Sequence, residues 1–191
     1  MKNSEKIQKI TGISILMALA IALTFVSNYI PTGFVNINLT LIVIVLGACI
    51  YGPLAGLVLG LVNGVITIIA PSTIAFFIPV NPLATIILCM VKTGLAGFVS
   101  GLVFKLFKEN KKYIGTVISS IVVPIINTGL FIVGVILFFM SVYGDVTTLI
   151  TVVLSLNFLI EFITIVVLSP VIYLIINVIS KRRALNKEME E

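Results

Sequence analysis

Long apolar runs, broken by short stretches of polar residues, Gly and Pro, dominate this chain. A helix crossing the ~30 Å hydrocarbon core of a bilayer needs about 20 mostly apolar residues. Six runs meet or approach that length: 10–29, 38–51, 54–70, 83–107, 114–141 and 148–180. Their limits coincide with helix breakers. Pro31 and Gly33 end the first, Gly52-Pro53 turns the second into the third, and Pro71 closes the third. The second run is short for a crossing and is expected as a partly inserted or irregular helix. The sixth is long, and Pro170 is expected to kink or divide it. The pattern predicts an all-α membrane protein: a compact bundle of six transmembrane helices forming one domain over residues 1–191.

Composition narrows the function. Hydrophobic residues make up 60% of the chain and charged ones 10%, whereas a soluble domain is about half apolar and about a quarter charged. Water-soluble enzymes, nucleic-acid-binding modules and disordered regulators are excluded. His is absent, which removes the commonest general base and metal ligand. Cys49 and Cys89 are far apart in apolar runs and read as packing residues. No catalytic residue, metal site or cofactor is expected. Neither GxxxxGK[ST] nor a GxGxxG opening a βαβ unit occurs, so energy for transport must come from an ion gradient or another subunit.

The net charge of +5 is a topology signal. Eleven of the 12 basic residues cluster at Lys2, Lys6 and Lys9, at Lys105, Lys108, Lys111 and Lys112, and at Lys181, Arg182, Arg183 and Lys187. Basic residues beside spans resist translocation. Six crossings with both termini cytoplasmic place all eleven inside, in a multi-pass protein of a bacterial-type cytoplasmic membrane. The N-terminal run reads as the first span and not as a removable signal. The outer loops, 30–37, 71–82 and 142–147, then carry the single charge of Asp145.

Two charged residues fall inside spans, Lys92 and Glu161. Buried charges in a membrane are costly and face a cavity or each other. At ~1.5 Å per residue they lie at similar depth. Asn38, Asn63, Asn81, Asn127 and Asn157 fall in the same outer half or near its floor, and Asn157 shares a helical face with Glu161. Two readings stand: an interhelical ion pair with amides joining helices, or a polar vestibule binding a small solute. Residues 31–37 and 71–82, which are uncharged and include Phe76 and Phe77, favour a lid over such a vestibule. Glycines at 52, 56, 60 and 64, and at 94, 97 and 101, form stripes for close packing. Ala18 and Ala22 make a small-xxx-small pair on the first span.

These residues together resemble the substrate-binding membrane subunit (S component) of an energy-coupling factor vitamin transporter. The likeness runs through Ala18-Leu-Ala-Ile-Ala22, Asn36-Ile-Asn-Leu-Thr40, Leu46-Gly-Ala, Tyr51-Gly-Pro-Leu-Ala-Gly56, Asn81-Pro-Leu-Ala-Thr85 and Lys92-Thr-Gly-Leu-Ala-Gly97. The resemblance implies a subunit that binds a vitamin from outside beneath its first and third loops. It further implies docking through Ala18 and Ala22 onto a membrane coupling subunit with two cytosolic ATPases. Lys92 and the amides suit a small hydroxylated anion, which puts the pantothenate-type member first, ahead of riboflavin, folate and pyridoxine-like compounds. The rival readings are a proton-coupled secondary carrier using Glu161 and a non-transporting membrane assembly protein.

Overall fold

The computed structural model describes residues 2–29, 38–143 and 155–190, all of whose regular structure is helical. In chain order the helices are α1 (Lys2–Tyr29), α2 (Thr40–Tyr51), α3 (Pro53–Ile68), α4 (Pro71–Phe76), α5 (Pro82–Lys105), α6 (Lys112–Tyr143) and α7 (Ser155–Glu190). A single 3₁₀ turn, Glu109–Lys111, links α5 to α6. Among the described residues, four helices contain segments long and apolar enough to cross a membrane: Lys6–Ser27, Pro82–Lys105, Lys112–Phe139 and Phe158–Arg182. The helices α2 and α3 are apolar but shorter.

The short second run is a regular helix, and its place in the bundle explains its composition. Nine of its 12 residues are buried, because α2 packs against α1, α3, α5, α6 and α7. A helix surrounded on all sides must be apolar all round, and Thr40-Leu-Ile-Val-Ile-Val-Leu-Gly-Ala meets that demand. Leu41, Ile44, Val45 and Leu46 form the main core with Leu59 of α3, Ala96 of α5, Val123 of α6 and Ile165, Ile172 and Ile176 of α7. Gly52 ends α2 with φ +95°, a conformation open to glycine, and Pro53 starts α3 at its first turn, where no N–H is needed.

The glycine stripes form a seam between α3 and α5. A Cβ on Gly56 would lie 2.2 Å from the Gly97 carbonyl oxygen, one on Gly60 2.2 Å from that of Thr93, and one on Gly64 2.9 Å from that of Cys89. At the other end, a Cβ on Gly101 would meet the Pro53 Cα at 2.6 Å. The partners step along the two helices in opposite directions, so α3 and α5 run antiparallel in backbone contact. Gly52 belongs to the turn and not to the seam.

Pro170 does not divide the last helix, since α7 continues through it. Proline removes the N–H that would bond the Val166 carbonyl. The Ser169 hydroxyl donates to that carbonyl instead, at 2.8 Å. Residues 30–37 and 144–154, including the first expected outer loop, most of the last and the start of the sixth expected span, lie outside the described residues.

The seam predicts opposite outcomes for two Gly→Ala changes. Gly60→Ala forces the backbones apart and costs about 1–3 kcal/mol, as overpacking does. Nothing lies within 4 Å of a Cβ at Gly129, so Gly129→Ala is neutral or stabilises by up to about 1 kcal/mol through helix propensity. Melting of the two variants in detergent measures the contrast, and equal stabilities would show that the seam is not tight.

Candidate solute-binding cavity

The central helix is the shortest of those that meet at the core. Twelve residues span about 18 Å, less than any of the helices packed around it. Beyond its N-terminal end lies a cavity of about 400 Å³, a size typical of small-molecule sites. Asn38 and Thr40 line it from the start of α2, Asn63 and Thr67 from α3, and Ser72 and Thr73 from α4. Lys92 reaches it from α5, Asn127, Thr128 and Phe131 from α6, Phe158 and Glu161 from α7, and Thr24 and Ser27 from α1.

The hydroxyls on the wall are mostly spent. Thr24, Ser27 and Thr67 each donate to the carbonyl four residues earlier on their own helix, at 2.8 to 2.9 Å. The amides are not. Asn63 is 2% exposed, and its Oδ1 accepts from the Thr40 hydroxyl at 2.6 Å while its Nδ2 has no partner. The Thr40 hydroxyl also lies against Asn38 Oδ1. It carries one proton, so one of the two amide oxygens remains available as an acceptor. Asn127 is 5% exposed, and its Oδ1 is likewise without a partner. Unpaired buried polar atoms cost about 1–3 kcal/mol each.

Lys92 is 9% exposed, and its ammonium sits 4.3 Å above the centre of the Phe131 ring. The ring face attracts a cation without occupying its N–H donors. Phe131 is itself held edge-on by Phe77 at 5.5 Å, and Phe77 packs on Phe139 at 5.3 Å. Phe77 therefore belongs to an aromatic cluster beside the cavity, while Phe76 is largely exposed. Lys92 and Glu161 both line the cavity. Their helices, α5 and α7, share no substantial packing among the described residues, so the two charges approach the cavity from separate walls.

Of the residues expected at a site, Asn38, Asn63, Lys92, Asn127 and Glu161 are brought together. Asn81 is not. Its side chain accepts from the Ala84 N–H at 3.1 Å and caps α5, which the Asn-Pro pair at the helix start signals on its own. The side chain of Asn157 lies outside the described residues. Ala18 and Ala22 are exposed, whereas Ala20, on the opposite face of α1, is 1% exposed and packs inward. Sequence reasoning missed Thr40, Thr128, Phe131 and Phe158. The spacing Asn127 to Phe131, one turn on the same face, was the available signal for the ring.

Helix lengths and a polar compartment enclosed by them define an integral membrane protein built around a solute-sized space. Residues 8–176 match the family of the ECF transporter substrate-specific component, and the chain belongs to that family. Its members are substrate-binding subunits of transporters and not enzymes. The family implies a small-molecule substrate together with membrane coupling and ATPase components. No curated protein and no solved structure matches the chain.

The orphaned amide oxygen predicts a conflict between stability and binding. Asn127→Leu removes an unpaired polar atom and is expected to raise the melting temperature of the ligand-free protein by a few degrees. The same change is expected to reduce stabilisation by added ligand. Thermal melting with and without ligand tests both, and a lowered ligand-free melting temperature would show that Asn127 has a structural partner.

Proposed function

We propose that this chain captures a small water-soluble vitamin from outside the cell and hands it to an ECF-type importer. Pantothenate leads the candidates, followed by riboflavin, folate and pyridoxine-like compounds. The observation that carries this reading is the set of unpartnered buried amide atoms around Lys92 in a member of a substrate-specific family. Polar atoms left unpaired in a membrane bundle are costly, and a polar solute offsets that cost when bound. Six crossings, counting α2 and α3, with both termini on the cytoplasmic side, fit the clustering of basic residues. The cell membrane is the corresponding location.

Docking belongs to α1 on this reading. Ala18 and Ala22 present small side chains on an exposed face, which suits close approach of a helix from a membrane coupling subunit. That subunit carries two cytosolic ATPases, which accounts for the lack of a nucleotide-binding motif in this chain. Solute site and docking face are then separate surfaces of one helix bundle.

Native mass spectrometry of protein released gently from its expression membranes tests the capture step. A co-purified mass equal to a water-soluble vitamin is the expected result. A bare protein that also shows no thermal shift with any vitamin overturns the reading. For docking, Ala18→Leu and Ala22→Leu are expected to spare vitamin binding and abolish co-purification with the coupling subunit. Normal co-purification of both variants would remove α1 from the interface.

A further inference from the structure

Among the described residues, the walls of the cavity carry one cation and one carboxylate that come from helices without substantial mutual packing. Lys92 is almost fully buried, and its ammonium rests on a ring face that leaves its hydrogen-bond donors unspent. Among the described residues this buried ammonium has no anion in contact, and a solute that supplies one gains a charge-assisted hydrogen bond. The unpartnered Nδ2 of Asn63 is a second donor for the same kind of group. Glu161 on α7 offers the reverse chemistry, because an ionised carboxylate only accepts. The unpartnered Oδ1 of Asn127 adds a further acceptor.

Resting on the solute-binding reading above, we infer that the cavity selects a bipolar solute. One end carries a single anionic group, held by Lys92, and the other carries hydroxyl, N–H or ammonium donors, accepted by Glu161. Glu161 is the specificity-determining residue. A second anionic group on the solute would meet the like charge of Glu161 at close range, which disfavours its binding. A neutral solute leaves Lys92 without a counter-anion, and a purely cationic one is repelled by it. The admitted class is therefore hydroxylated or amidated monocarboxylates and zwitterions. Within the vitamin series this favours pantothenate, whose hydroxyls lie at the end remote from its carboxylate. It excludes folate as a dianion and riboflavin as a neutral molecule.

The test uses the full chain in detergent and titration calorimetry against water-soluble vitamins, amino acids and pantothenol, in which the carboxylate of pantothenate is replaced by an alcohol. Every tight ligand is expected to be a monoanion with donors or a zwitterion. Exchange of its carboxylate for an alcohol is expected to weaken binding by about 100-fold. Lys92→Met should erase most of that difference, and Glu161→Gln should narrow the preference for monoanions over dianions by about tenfold. Tight binding of riboflavin, thiamine or folate by the unaltered protein overturns the bipolar assignment and leaves the solute-binding reading standing. A carboxylate preference that survives in Lys92→Met overturns it as well. Binding of no compound in the set sinks both.

Discussion

The backbones of α3 and α5 touch at a line of glycines, and the position of the polar groups follows from that contact. In a bilayer the apolar faces of helices gain little by leaving lipid for one another. Close van der Waals contact has to supply the attraction, and glycine gives the closest approach available. The seam runs from Gly101 against Pro53 to Gly64 against Cys89. Asn63 and Lys92 lie beside its last two contacts, so the geometry that seats the seam also sets the distance between their helices. The rest of the bundle packs outward from this pair, with α2 in the centre and α6 closing on the other side of α5.

Polar residues fare differently in such a bundle according to what they carry. A hydroxyl can turn back onto a carbonyl of its own helix, and Thr24, Ser27, Thr67, Thr93, Thr116 and Ser120 all do so. An amide has a donor end and an acceptor end that point apart. A single helix does not readily satisfy both. Asn63 and Asn127 therefore keep an unpaired atom, and both face the same cavity. Serine and threonine are hidden cheaply in this fold, whereas asparagine marks the place where something polar belongs.

This distinction also explains what could be read from the sequence. Helix positions followed from apolar length, and close internal packing from the glycine stripes, because both depend on local pattern alone. The convergence of Asn38, Asn63, Lys92, Asn127 and Glu161 was legible through depth, since a rise of ~1.5 Å per residue converts position into height. Height is not direction, however. Asn81 lies near the expected level but turns onto the first turn of its own helix. Phe131 escaped notice because a ring in an apolar helix shows its partner only once α5 and α6 have packed. The continuity of α7 through Pro170 depends on a neighbouring hydroxyl that accepts the role of the missing N–H, a compensation that proline rules do not register.

The shortness of α2 has an electrical consequence. Water is conductive on the scale of a membrane, so the space beyond Asn38 and Thr40, when filled with water, carries the potential of its own side inward. The voltage across the bilayer then falls mainly over the solid part of the bundle, where α2 fills the centre. Moving charge through that drop requires work in proportion to the fraction crossed. A charged molecule reaching Lys92 has passed little of the field, and most of the electrical work attaches to whatever step carries it onward.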